Sequence, residues 1–140
     1  MKPVASRTLQ PALLDVPPCT AKVPVKERDL IDIDDAQRIE GLFKILANAT
    51  RLRLLHVLIR ESELCVMALA EAIGMKPQAV SNQLQRLVDR GILGWRRQGN
   101  LIFYRIVDPC IVSILDHGLC LSEDALNRRS HEGRSGTDKK

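Results

Sequence analysis

A mainly helical domain with one β-hairpin ahead of its last helix is the fold class the sequence predicts, on three observations. Apolar residues recur at three-four spacing from Ile39 to Val88, the period of amphipathic helices. Gly74, Pro77 and Gly91 punctuate that stretch into short helices. Two β-prone runs then flank Gln98-Gly99-Asn100, and Asp108-Pro109 opens a final apolar-periodic segment.

The elements follow in order. Asp34 or Asp35 is placed as the N-cap of a first helix carrying Ile39, Leu42, Phe43 and Leu46. Thr50 is placed as the cap of a second helix whose Leu52, Leu55, Leu58 and Ile59 face inward and which ends near Glu61. Val66 to Ile73 reads as a short helix closed by Gly74, and Met67 as part of its core face. Pro77 suits a first helical position because its missing N–H has no partner there, and Val80, Leu84, Leu87 and Val88 give that helix its buried stripe up to Gly91. Ile92 to Trp95 and Leu101 to Val107 read as strands whose turn uses Gly99 and Asn100. The last helix carries Ile111, Ile114, Leu115 and Leu119. Two helices about a glycine turn, followed by a hairpin, make a winged helix-turn-helix in the order α-α-α-α-β-β-α.

Composition bounds the rest. The chain has 140 residues, 45% of them hydrophobic, enough for one core. Residues 1–33 are rich in proline and read as a flexible arm, 34–126 as the folded domain, and 127–140 as a disordered tail. No apolar run of membrane-spanning length and no secretory leader stand in the sequence, so a cytoplasmic protein without membrane contact is expected. The four cysteines, Cys19, Cys65, Cys110 and Cys120, are too dispersed for a secreted disulfide scaffold, and reduced thiols are expected.

Charge is distributed unevenly. Between Lys76 and Arg105 six basic residues stand against the single acid Asp89, whereas Asp108 to Asp124 holds four acids and no Lys or Arg. Opposite the buried stripe of the second motif helix lie Gln78, Ser81, Asn82, Gln85 and Arg86, side chains able to hydrogen-bond base edges in a major groove. Arg96, Arg97 and Asn100 sit beside the hairpin turn, where contacts can follow the phosphate backbone. On an isolated helix, Gln, Asn and Ser merely solvate a surface. Joined to the glycine turn, the basic hairpin and the charge segregation, they point to double-stranded DNA.

The stretch Leu46-Ala47-Asn48-Ala49-Thr50-Arg51-Leu52-Arg53-Leu54-Leu55, with Glu63-Leu64-Cys65-Val66 and Ala79-Val80-Ser81-Asn82-Gln83-Leu84, resembles the ArsR/SmtB family of metal-responsive repressors. The resemblance spans about Asp35 to Cys120. It implies a homodimer held by the first and last helices, binding to operator DNA, and release on binding an effector. It also places Gln78, Ser81, Asn82 and Gln83 at recognition-helix positions and Arg96, Arg97 and Tyr104 in the wing.

Against that family's Cys-x-Cys signature after Glu-Leu, Cys65 stands at the first position and Met67 at the second, a weaker thioether ligand. Cys19 on the arm is the candidate replacement, as in cadmium and lead sensors of this kind. In the last helix, Cys110 and His117 differ by about 20° in direction and His117 and Cys120 by about 60°, so the three share a stripe. Aligned on the family's carboxylate-histidine zinc site, Asp108 matches the first ligand, Cys110 replaces a histidine, and Leu121 falls where another ligand should be. Thiolate in place of imidazole favours Cd, Pb, Hg or As over Zn.

The expectation is therefore a repressor that leaves its operator when a thiophilic ion binds Cys65, Cys110 and Cys120, with Cys19 and His117 as further candidates and no organic cofactor. A thiol redox or sulfide sensor of the same fold is the alternative. An effector-independent architectural DNA binder is a further alternative. A cysteine hydrolase using Cys110 or Cys120 with His117 lacks an orienting third residue, so no enzyme is expected. His56 is read as a partly buried helix residue and His131 as part of the tail.

Overall fold

The computed structural model describes residues 23–132, with side chains described as far as residue 130. A 3-10 turn, Val25–Glu27, precedes α1 (Ile33–Leu46), α2 (Ala49–Glu61), β1 (Leu64–Cys65), α3 (Val66–Ile73), α4 (Pro77–Asp89), β2 (Leu93–Gln98), β3 (Leu101–Ile106) and α5 (Cys110–Glu132). The winged helix-turn-helix order stands, with one strand more than the sequence suggests.

The caps of both leading helices lie at least two residues before the predicted ones. Asp32, not Asp34 or Asp35, caps α1: its backbone is extended and its Oδ1 accepts from the Asp35 N–H at 2.8 Å. Asp34 and Asp35 fall in the first turn, where their charge complements the helix dipole. Asn48, not Thr50, caps α2, accepting from the Arg51 N–H at 3.0 Å. The face of α2 that meets the core runs through Leu54, Leu55 and Leu58, each buried, whereas Leu52 is 39% exposed. At 100° per residue Leu52 points about 120° away from Leu58, so the inward face is centred on 54, 55 and 58.

Gly74 closes α3 in the left-handed region at φ 67°, and the Met75 N–H returns to the Ala70 carbonyl at 3.0 Å. Gly91, at φ 71°, does the same service after α4. Met67 is 62% exposed, not core: on so short a helix Leu69, Ala70 and Ile73 take the whole inward face.

The hairpin pairs Leu93 with Ile106 through to Gln98 with Leu101, leaving Gly99-Asn100 as a two-residue loop. Only Gly99 takes positive φ (60°), the sign pattern of a type II′ turn, and Asn100 does not need the left-handed region expected of it. β1 adds an edge to this hairpin, giving the order β1-β3-β2 with Leu64 opposite Tyr104 and Cys65 opposite Phe103. Two residues are too few to show a period, which is why the sequence conceals this strand.

Leu54, Leu55, Leu69, Val80, Leu84 and Leu87 are fully buried where α2, α3 and α4 meet, and Ile111 and Leu115 bring α5 onto the same core. Asp108 Oδ1 accepts from the Cys110 N–H at 2.8 Å, starting α5. That helix continues past Leu126, the expected domain boundary, to Glu132. Among the described residues no helix is long and apolar enough to cross a membrane.

Candidate functional site

The buried stripe Val80, Leu84, Leu87 fixes which way α4 faces, and it leaves Gln78, Asn82, Gln85 and Arg86 exposed with Ser81 half-buried. Gln78 Nε2 donates to Asn82 Oδ1 at 3.3 Å and Gln85 Nε2 to Asp89 Oδ1 at 2.8 Å, i to i+4 pairs that orient these amides along the helix. An exposed polar helix of this width fits a major groove.

Gln83 is placed differently from its neighbours. It is half-buried, and its Oε1 accepts from Arg51 Nε at 2.8 Å. Arg51, 8% exposed, also donates from Nη1 to the Ile45 carbonyl at 2.9 Å. Neither partner was legible in the sequence, since the pair is separated by 32 positions.

The two adjacent arginines of β2 divide in the same way. Arg97 is exposed at the loop, its Nε donating to the Gly99 carbonyl at 3.1 Å, and Asn100 is exposed beside it. Arg96 is half-buried: its Nε donates to Glu63 Oε1 at 2.7 Å, and its guanidinium lies over the Phe103 ring at 4.7 Å. The hydrogen bond to Glu63 raises the already high pKa of Arg96. Tyr104 points into the core, and burial raises its pKa.

The cysteines lie apart. Cys65 is half-buried on β1 and Cys120 exposed on α5, both with free thiols. Cys120 Sγ lies 3.8 Å from Asp124 Oδ2. Cys110, at the start of α5, is not a free thiol. Ten helical residues separate Cys110 from Cys120, about 15 Å of rise, so the shared stripe does not bring them to one ion within a protomer. His117 is exposed, with its Nδ1 2.7 Å from the Ser113 carbonyl. Among the described residues no three His, Cys, Asp or Glu side chains converge on a metal position. Cys19 lies outside the described residues.

A groove of about 640 Å³ runs between α1, α2 and α5, lined by Phe43, Leu46, Leu52, His56, Ile114 and Leu119 among others. His56 is therefore an exposed groove residue and not partly buried, because α2 turns it away from the core with Leu52.

A helix-turn-helix with an exposed polar second helix and a basic wing defines a DNA-binding transcriptional regulator, not an enzyme. The chain belongs to the ArsR/SmtB family. The MarR family profile matches residues 48–98, the segment from the α2 cap to the end of β2. The cadmium resistance regulatory protein CadC of Listeria innocua is 32% identical over 92 residues, which cover 66% of this chain and 77% of that one. The crystal structure of the antimony-specific repressor AntR shares 59% identity at a TM-score of 0.67, covering 78% of this chain and 98% of that one. A homodimeric winged-helix domain from Mycobacterium bovis, solved in solution, shares 28% identity at a TM-score of 0.58, covering 69% and 91%.

Proposed function

We propose that this chain is a homodimeric repressor that holds double-stranded operator DNA through α4 and the β2–β3 wing and releases it when a thiophilic metal or metalloid ion binds its cysteines. The observation that carries the DNA half is the division of α4 into a fully buried stripe and an exposed face of Gln78, Asn82, Gln85 and Arg86, with Ser81 half-buried at its edge, beside Arg97 and Asn100. The dimer is supported by apolar side chains left uncovered on α1 and α5, among them Phe43 at 54%, Leu119 at 52% and Leu121 at 66% exposure, and by the homodimeric relative. Two copies of α4 would then meet half-sites about one helical turn apart. Its place of action is the cytoplasm, with the DNA.

The effector is a soft ion of the Cd(II), Pb(II), Hg(II), As(III) or Sb(III) class, in line with the cadmium and antimony regulators it is similar to. Cys65, Cys110 and Cys120 are the proposed ligands, with Cys19 and His117 as further ones. Since Cys110 and Cys120 lie on different levels of α5, ligand sets that join α5 to the arm or to a second copy fit better than one drawn from a single helix. The ion must favour the dimer shape that cannot span both half-sites, and couplings of this kind are typically about 1 to 3 kcal/mol.

A reduced, anaerobic fluorescence anisotropy titration on a duplex selected from a random pool by the protein tests this. Near-stoichiometric release by one of these ions, lost in Cys110→Ser with Cys120→Ser, is expected. That Cys110 is not a free thiol supports a second reading, thiol redox control, and release by peroxide or polysulfide alone would establish it instead.

A further inference from the structure

Arg51 is the only buried charged side chain among the described residues, and no carboxylate is paired with it there. Its charge is met by two carbonyl oxygens from different helices: Ile45 O in the last turn of α1, at the negative end of that helix dipole, and Gln83 Oε1 on α4. A second contact joins the same two helices. Arg90, the C-cap of α4, lies against Gly41 of α1, where an added Cβ would stand 3.3 Å from its Nη1. Residues 41 and 45 share one face of α1, and 83 and 90 share one face of α4. A single contact would let the helices swivel, whereas two contacts separated along both axes set their angle.

From this arrangement we infer that Arg51 and Gln83 form a positioning clamp that orients α4 on α1, so that Gln83 acts on DNA through Arg51 and not by touching a base. The inference rests on α4 being the DNA-reading helix, and it gives Gln83 a role different from that of Gln78 and Asn82. Gln83 is half-buried with its Oε1 engaged by Arg51, and turning it out to a base would leave a buried guanidinium short of an acceptor.

The test is anisotropy on the selected duplex with Gln83→Leu, Gln83→Glu, Arg51→Met, the Arg51→Met/Gln83→Leu double variant, and Asn82→Ala as reference. The clamp requires Gln83→Leu to weaken binding about tenfold with base preference unchanged. Gln83→Glu, which returns an acceptor to Arg51, must bind better than Gln83→Leu despite its added negative charge. The double variant must lose no more than the worse single one, the mark of a shared interaction. If Gln83→Glu binds worse than Gln83→Leu and base preference shifts, Gln83 faces the DNA and the clamp is overturned. Multiplying losses in the double variant overturn it as well. Should Arg51→Met fail to fold, the order of the two Gln83 variants decides alone. An Asn82→Ala variant indistinguishable from wild type would instead strike the reading of α4, an outcome separate from either of these.

Discussion

Arg96 of the wing and Glu63, two residues before Cys65, meet through a hydrogen bond of 2.7 Å and a second nitrogen-oxygen approach of 2.5 Å. With β1 paired to β3, this ties the wing to the strand that carries a candidate ligand thiol. The Arg96 charge is thereby engaged within the protein, and of the two adjacent arginines of β2 Arg97 is the exposed one.

Glu63→Gln should loosen the wing without unfolding the core. The expected result is faster amide exchange in β2 and β3, a reduced melting temperature and weaker DNA binding, with exchange in α2 unchanged. Unaltered wing exchange would show that backbone pairing alone positions it.

Arg97→Ala and Asn82→Ala should differ in kind. Loss of a phosphate contact lowers affinity about equally for all sequences and reduces the salt slope by about 1, whereas loss of a base contact costs about 1 to 3 kcal/mol of discrimination at one position. Binding to the selected duplex and to a scrambled one, each across a salt series, separates the two.

Phe43→Glu places a charge on the uncovered apolar surface of α1, next to the groove shared with α5. Sedimentation equilibrium should show a shift from dimer toward monomer, with helicity retained. If each protomer meets one half-site as proposed, DNA affinity should fall with it. A Phe43→Glu dimer as tight as wild type would move the interface elsewhere.

Tyr104 is the one tyrosine of the chain, so phenolate absorbance reports it alone. Burial disfavours its ionised form and raises its pKa above the ordinary value of about 10. The sign follows: its contribution to stability is complete below the unfolded pKa and is lost as pH climbs through the higher folded one. A spectrophotometric titration should give a midpoint above the ordinary value in buffer and a return to it in denaturant. Tyr104→Phe should flatten the alkaline loss of stability.

What could be read from residues in order was whatever neighbours along the chain decide. The four leading helices, Gly74 and Pro77 at the motif turn, Gly99 in the hairpin and Asp108 ahead of α5 are all local: a period, a cap or a φ preference suffices. Even there the caps moved by at least two residues to Asp32 and Asn48, because several adjacent side chains of the right type compete and the helix register chooses among them.

The face of α4 was legible for the same reason, since Val80, Leu84 and Leu87 are burdened with the core and their opposite side must be free. What tertiary structure decided is which polar residues near that face are actually available. Gln83 and Arg96 look, in sequence, like the candidate DNA contacts beside them. One is bound by Arg51, 32 positions away, and the other by Glu63, 33 positions away. A hydrogen bond between distant segments depends on how helices and strands are stacked, and no spacing or propensity encodes it. The two-residue strand β1 has the same origin, existing only because β3 supplies its partner. Local chemistry wrote the elements and their apolar faces; packing between elements decided which polar groups were left to act.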